Sequence, residues 1–180
     1  MFYMFFADGF EEVEAIAALD VIRRAKIEIE SVGIGSKQIT GSHNISIICD
    51  KTEDEINVSD KLEGIILPGG MPGTKNLQNN STVNTFIDYC TEKGLYLCAI
   101  CAAPMILGCK GLLNGKEATC FPGFEEFLEG AVLSDKYVCT DGNIITAKGM
   151  GSAVNFGLAI VSAIKGEDFS AELKASLQCS

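Results

Sequence analysis

Residues 95–105, LYLCAICAAPM, join an apolar run to the beginning of a helix. The run is short enough for one buried strand, and it stops at Cys101, where small residues lead into a helical pattern. A strand that turns sharply into a helix holds the side chain of the turn residue above the sheet and leaves the next backbone N–H groups free. This stretch therefore predicts an α/β sheet with Cys101 at a site beyond one end of its strands.

The rest of the chain alternates between strand and helix patterns in the same way. Strands are predicted at 1–6, 26–32, 43–48, 64–67, 95–100 and 116–120, with a hairpin over 137–147. Helices are predicted at 10–25, 81–93, 102–110 and 153–165, with Ser81 as an N-cap and the last helix closing the fold. Segment 43–48 is short and has polar neighbours, which favours a sheet edge or an added hairpin. The pattern predicts one domain over residues 1–180, a doubly wound, mostly parallel α/β sheet sandwiched by helices.

Charge and cysteine usage narrow the classes of function. The chain has 14 Lys and Arg against 24 Asp and Glu, so binding to nucleic acid or to an anionic membrane surface has no electrostatic support. The apolar start lacks a basic segment, so it predicts a core strand and neither a signal peptide nor a membrane span. Eight cysteines without an export signal predict a reducing, cytoplasmic location. The single histidine, His43, and the lack of a second Cys pair besides Cys98 and Cys101 predict no metal site.

Cys101 is the candidate nucleophile. The beginning of a helix favours a thiolate, so the sequence predicts a lowered pKa for Cys101 and the highest reactivity among the eight cysteines. The alternative is a buried structural cysteine, since free Cys is among the most buried residue types. Backbone N–H groups of Gly70, in the Gly69-Gly70 loop, and of Ala102 are candidates for an oxyanion hole. A tight turn is the structural alternative for the two glycines.

The carboxylate partner of the cysteine is not fixed by periodicity. Glu11, Glu12 and Glu14 all begin the first predicted helix, where the helix dipole favours acidic residues in any case. Glu14 shares a face with Phe10 and Val21, so it could be buried and partly protonated, but Glu12 also has apolar neighbours. The residues alone leave this choice open.

Three motifs, in this order, resemble the ThiJ/PfpI superfamily in the branch of the parkinsonism-associated protein deglycase, the DJ-1-like branch. They are residues 8–14, DGFEEVE, residues 67–70, LPGG, and residues 99–104, AICAAP; residues 148–151, KGMG, agree as well. The resemblance implies a flavodoxin-like sandwich, a homodimer, and a cysteine that oxidises readily to sulfinate. It also implies that Glu14 is the protonated carboxyl that hydrogen-bonds to the sulfur of Cys101.

The chain also departs from the pattern of that superfamily. Ala102 follows the nucleophile where protease-like members have a histidine, so peptidase activity is not expected. Phe121 stands where the deglycase branch often has a histidine, which removes an imidazole base from the neighbourhood of Cys101. His43 occupies the position of an arginine that reaches toward the partner subunit; a surface histidine is the alternative. Cys120 is a candidate resolving thiol or a buried structural cysteine.

From the residues and the resemblance together we expect a protein in which Cys101 acts on small reactive carbonyls such as methylglyoxal, or on their adducts, without a cofactor. Glu14 would then move the proton. The alternative is a redox-sensing or chaperone-like stress protein in which Cys101 is oxidised to sulfinate without turnover. A thiazole monophosphate biosynthesis role, a label often attached to the family, has no phosphate-loop motif to support it.

Overall fold

A seven-stranded sheet forms the centre of the protein in a computed structural model that describes residues 1–179. The strands are β1 (Phe2–Phe6), β2 (Ile29–Gly33), β3 (Gln38–Thr40), β4 (Ser46–Ile48), β5 (Lys51–Thr52), β6 (Gly64–Leu67), β7 (Tyr96–Ile100), β8 (Glu117–Ala118), β9 (Val132–Leu133), β10 (Val138–Asp141) and β11 (Ile144–Ala147). The helices are α1 (Glu12–Arg24), α2 (Gly73–Asn79), α3 (Ser81–Lys93), α4 (Pro104–Cys109), α5 (Ala153–Lys165) and α6 (Glu167–Ser176).

The order of the strands across the sheet is β10-β11-β7-β6-β1-β2-β5. All neighbours pair in parallel except β10 and β11, which form the predicted hairpin. From β1 the chain winds first to β2 on one side and later to β6 on the other, so the winding reverses between β1 and β6. Ligands of doubly wound sheets bind beyond the carboxyl ends of the strands at this reversal. The predicted fold class, a flavodoxin-like α/β sandwich, is confirmed.

Alternating side chains of the strands fill two cores, one on each face of the sheet. On one face Phe2, Met4 and Phe6 of β1 are fully buried among residues of α1 and α5. On the other face Tyr3 and Phe5 pack among residues of α3 and α4. Because both faces are covered, the central strands β1, β6 and β7 are apolar along their whole length, as is typical of parallel sheets.

The added hairpin is present, but its strand boundary differs from the prediction. β3 and β4 pair antiparallel as a separate two-stranded sheet, and β4 begins at Ser46. His43 lies in the turn before β4, where Asn44 has a left-handed backbone with φ of 63°. The turn needs these residues to reverse the chain, so the strand cannot extend back to His43.

Two helices were missed, and one helix cap was assigned to the wrong residue. α2 is short and polar, and α6 follows α5 after Gly166, so residues 153–165 are not the last helix. The N-cap of α3 is Asn80, whose side-chain oxygen accepts from the Val83 N–H over 2.9 Å. Asn and Ser are about equally good N-caps, so the choice between Asn80 and Ser81 depended on backbone geometry. None of the helices in residues 1–179 combines the length and apolarity that a membrane crossing requires.

Candidate functional site

Cys101 lies at a strained turn directly after β7. Its φ is +64°, in the left-handed region that non-glycine residues rarely adopt. Two backbone hydrogen bonds of 2.8 Å hold the turn: the Cys101 N–H donates to Ala147 O, and the Cys101 carbonyl accepts from the Phe121 N–H. Strained backbones of this kind persist where the surroundings determine them, and they cluster at functional sites. The turn predicted between strand and helix is therefore present at Cys101.

Glu14 is brought to the same place by the first turn of α1. Its side chain is 1% exposed and forms a hydrogen bond with the Cys101 thiol. The Gly69 N–H donates to Glu14 Oε2 over 3.1 Å, and the Met150 N–H also donates to the carboxyl group. Glu11 caps the helix, because its Oε2 accepts from the Glu14 N–H over 2.7 Å. The structure thus resolves the choice that periodicity left open, since Glu14 and not Glu12 contacts the cysteine.

Gly69 leaves room for this pair. A Cβ atom placed on Gly69 would lie 2.5 Å from Cys101 Cβ, 2.6 Å from Glu14 Oε2 and 3.0 Å from Cys101 Sγ. The first two distances are far inside van der Waals contact, so no side chain fits there. The glycine therefore has a steric role at the site in addition to its place in a turn.

Burial sets the protonation of the Glu14 and Cys101 pair. Desolvation raises the pKa of Glu14 to about 7, against the hydrogen bonds from Cys101 and Gly69 that lower it. Desolvation also raises the pKa of the Cys101 thiol, and the negative charge of Glu14 raises it further. Two negative charges in contact within a buried site repel each other, so the pair retains at least one proton near neutrality.

The predicted lowering of the Cys101 pKa by a helix N-terminus is therefore wrong. α4 has only six residues and begins at Pro104, three residues beyond Cys101. A short helix at that distance gives a weak field, since dipole effects fall off within the first turn. The cost of burying a negative sulfur outweighs it.

Gly70 and Ala102 donate their backbone N–H groups to the sulfur itself. Both hydrogen bonds favour the thiolate and lower the pKa of Cys101, although by less than burial raises it. Gly70 has a φ of +92°, in the left-handed region that favours glycine. The two groups that the sequence suggested for an oxyanion hole thus face the nucleophile.

Phe121 borders the site, and Cys120 points elsewhere. The backbone N–H of Phe121 contacts Cys101, and the Phe121 ring lies beside Gly149. Phe121 is 46% exposed. Cys120 is 4% exposed and lines a cleft of about 410 Å³ with Ser134 and Lys148. Burial raises the pKa of Cys120 to about 11, which makes it a poor resolving thiol at neutral pH.

His43 is tied to Glu12 and makes no hydrogen bond to Cys101 or Glu14 in the part of the chain that the structure describes. Its Nδ1 lies 2.8 Å from Glu12 Oε2, and its backbone N–H donates to Glu12 Oε1 over 2.7 Å. These bonds lower the pKa of Glu12 to about 2 and raise that of His43. Glu11, Glu12 and His43 place three potential metal-ligand atoms within 4.8 Å of one another. The buried Glu12 carboxylate, however, is already hydrogen-bonded to His43. The group fastens the hairpin turn to α1.

The Gly149-Met150 segment contributes to the site, although the sequence analysis assigned it no role. The Gly149-Met150 step lies against Glu14: a Cβ atom on Gly149 would be 3.5 Å from Glu14 Oε1 and 3.2 Å from Phe121 Cδ2. The Met150 N–H then completes the donors to the carboxyl group. The sequence signal for this contribution was the agreement of residues 148–151 with a motif of the family.

The fold and the site together define a class: flavodoxin-like proteins with a cysteine at a strained turn after a central strand and a buried glutamate bonded to its sulfur. The DJ-1/PfpI family model matches residues 2–163, and this chain belongs to that family.

Relatives and solved structures agree with this membership. Protein dj-1beta of Drosophila melanogaster is 34% identical over 165 residues, covering 90% of this chain and 88% of the relative. The Parkinson disease protein 7 homolog of Danio rerio is 32% identical over 95% of this chain and 93% of the relative. The crystal structure of Drosophila melanogaster DJ-1beta has a TM-score of 0.93 at 32% identity, covering 99% of this chain and 97% of that one. Oxidised Toxoplasma gondii DJ-1 has a TM-score of 0.94 at 25% identity, covering 99% and 98%.

Proposed function

We propose that the protein converts small 2-oxoaldehydes such as methylglyoxal, or their adducts with amines and thiols, to 2-hydroxy acids without a cofactor. The observation that carries the proposal is the hydrogen bond between Glu14 and Cys101, with the pKa of Glu14 raised to about 7. A nucleophile and a group that can both accept and return a proton near neutrality are in contact.

The chemistry balances without an external oxidant. The sulfur of Cys101 adds to the aldehyde carbon, the carbonyl electron pair moves to oxygen, and the thiol proton, held by Glu14, is transferred to that oxygen. Glu14 then removes the C–H proton of the hemithioacetal, which gives an enediol, and returns that proton to the neighbouring carbon. The hydroxyl proton moves from the oxygen of the first carbon to the oxygen of the second, so the first carbon is oxidised to a thioester and the second is reduced to an alcohol. Water hydrolyses the resulting thioester, which releases the hydroxy acid and restores the thiol.

Backbone donors support the first step. The N–H groups of Gly70 and Ala102 stabilise negative charge on the sulfur when its proton passes to Glu14. Since Phe121 provides no imidazole, Glu14 is the base in this proposal. A single carboxyl that serves as acid and base in turn predicts slow turnover.

The test is the production of lactate from methylglyoxal by the purified protein. We expect lactate from the wild type and none from Cys101→Ser or Glu14→Gln, with Cys109→Ser as the control for loss of an exposed thiol. Lactate at the wild-type rate from Cys101→Ser would overturn the proposal.

A second candidate is redox sensing, in a stress or chaperone-like role, by stepwise oxidation of Cys101. The solved relative from Toxoplasma gondii is described as oxidised. Thiolate attack on a peroxide oxygen gives sulfenate and releases water or alcohol, and a second peroxide gives sulfinate. A mass increase at Cys101 at low peroxide, in a protein that forms no lactate, would favour this candidate. The eight free cysteines support a reducing, cytoplasmic setting for either role.

We also propose that the protein acts as a homodimer. An apolar patch on α1 and the hairpin is formed by Val13, Ile16 and Ile45, which are 47%, 41% and 54% exposed. With Ala17 they line one shallow cleft whose surface is almost wholly apolar. Contiguous apolar surface of this kind favours contact with another protein surface, here a second copy.

A further inference from the structure

Ser152 is a buried serine whose side chain bonds to the backbone turn that carries Met150. It is 2% exposed, and its hydroxyl makes two hydrogen bonds to Gly149. The Ser152 Oγ donates to the Gly149 carbonyl over 2.8 Å and accepts from the Gly149 N–H over 3.2 Å. The Ser152 N–H donates to the same carbonyl over 2.8 Å. Because a hydroxyl can donate and accept at once, these bonds fix the backbone of Gly149 on both sides of its Cα.

The Gly149-Met150 peptide lies against the Glu14 carboxyl group. A Cβ atom on Gly149 would be 3.5 Å from Glu14 Oε1, and the Met150 N–H donates to the carboxyl group. The Gly69 N–H, from a different segment, donates to Glu14 Oε2 over 3.1 Å. Two backbone donors therefore hold this carboxyl group beside Cys101.

Burial makes the Met150 donor hard to replace. Glu14 is 1% exposed and Ser152 is 2% exposed, and contact with a second copy can only bury them further. A buried carboxylate that loses a donor without gaining water is destabilised, so the loss favours the protonated form. The ionisable groups that act on Glu14 are the thiol of Cys101, after β7, and the carboxyl group of Glu11, on α1.

We propose that Ser152 is a positioning residue: it holds the Gly149-Met150 peptide so that the Met150 N–H stays on the Glu14 carboxyl group and keeps that group able to accept a proton. The catalytic meaning of this role rests on the proposed function, in which Glu14 is the base. The contact itself is tested without turnover.

The deciding measurement is the pH titration of the Glu14 carboxyl carbon by carbon-13 NMR, in protein labelled at glutamate and assigned with Glu14→Gln. We expect the wild-type midpoint at about pH 7. Met150→Pro removes the N–H, and proline suits the first position of a helix, which Met150 occupies in the 3-10 helix Met150–Ser152. The midpoint should rise by about one pH unit, because two or three backbone N–H bonds together lower the pKa of a carboxyl group by about two units.

Substitutions of Ser152 test the positioning role directly. Ser152→Ala leaves the Met150 N–H in place but frees the peptide that carries it, so the Glu14 midpoint should rise by less than in Met150→Pro. Ser152→Thr keeps the hydroxyl, and its midpoint should match that of the wild type. If Met150→Pro does not fold, the comparison of Ser152→Ala with Ser152→Thr decides the question.

Two controls separate this role from other effects. Met150→Ala removes the same exposed side chain as Met150→Pro but keeps the N–H, so it accounts for any contact of that side chain with a second copy. Ser170→Ala removes a buried hydroxyl that also donates to a backbone carbonyl over 2.8 Å, that of Leu158, in α5. Both controls should titrate like the wild type.

The possible outcomes distinguish this inference from the proposed function. An unchanged Glu14 midpoint in Met150→Pro or in Ser152→Ala, or an equal rise in Met150→Ala or Ser170→Ala, overturns the positioning role even if lactate is formed. A rise in both variants, with the controls and Ser152→Thr at the wild-type value, supports it even if no oxoaldehyde is converted. An acid limb of lactate production that moves to higher pH in Ser152→Ala, together with the Glu14 midpoint, supports both.

Discussion

Glu14 on α1 and Cys101 after β7 form a buried hydrogen bond, although the two residues belong to distant parts of the chain. The parallel sheet brings the two residues together, because α1 follows β1 and Cys101 follows β7 at the same edge of the sheet. The bond requires the first turn of α1 to lie over the carboxyl ends of β6 and β7, and the small Gly69 lets it approach.

The negative charge of Glu14 controls the titration of Cys101. We expect the pKa of Cys101 to fall in Glu14→Gln, since the charge that raises it is removed while the amide can still donate to the sulfur. Glu14→Leu also removes the charge, but it removes the donor too, so the pKa should fall less. The pH dependence of Cys101 alkylation measures the pKa of Cys101 in both variants. Glu12→Gln serves as the control, and an equal effect there would show that the wrong glutamate was assigned.

The raised pKa of Glu14 makes stability depend on pH. The folded protein binds this proton more tightly than the unfolded chain, so the stabilisation is complete below about pH 4.5 and is lost as pH rises through about 7. The free energy of unfolding falls by about 3 kcal/mol over this range, because each pKa unit corresponds to about 1.4 kcal/mol. Urea unfolding should show that the free energy of unfolding decreases by this additional amount between pH 4.5 and pH 8 in the wild type and not in Glu14→Gln. Equal decreases in the two proteins would contradict the raised pKa.

Space at Gly69 is necessary for the pair. Gly69→Ala should separate Glu14 from Cys101 and destabilise the fold by about 1 to 3 kcal/mol, the usual cost of overpacking. Gly151→Ala is the matched control, because a Cβ atom there meets open space. Thermal unfolding and Cys101 alkylation measured together check this. Unchanged alkylation in Gly69→Ala would mean that the pair tolerates a side chain.

Burial changes the order in which the thiols react. The sequence predicts Cys101 as the most reactive cysteine, but Cys101 is 9% exposed with a raised pKa, while Cys109 is exposed. We now expect limiting iodoacetamide at pH 7.5 to label Cys109 first. In Cys109→Ser the partly exposed Cys179 should follow. Labelling of Cys101 before Cys109 would restore the original prediction.

The apolar patch on α1 should decide the oligomeric state. Ile16→Asp places a charge in the middle of the patch, so we expect it to convert a dimer to a 19.2 kDa monomer in sedimentation equilibrium at micromolar concentration. Val132→Asp, at another exposed apolar position, is the control. A wild-type monomer, or a dimer unaffected by Ile16→Asp, would place the interface elsewhere or remove it.

The sequence by itself determined the α/β class and the turn at Cys101. Apolar runs that end at glycine or cysteine and helical runs with clear caps are local patterns, and local patterns specify strands and helices. Gly94, for example, closes α3 in a left-handed conformation as its residue type predicts. The polar α2 lacks such a pattern and was missed.

The residue patterns left open which glutamate meets the cysteine, although the family resemblance implied Glu14. The tertiary structure decided this choice and how the pair is protonated. Glu12 and Glu14 have similar neighbours along the helix, but α1 is oriented so that Glu12 faces His43 and Glu14 faces the sulfur. The direction of the Cys101 pKa likewise follows from burial, which no local pattern records. Desolvation and contact between segments distant in sequence depend on how the layers pack, and that information is absent from any single stretch of the chain.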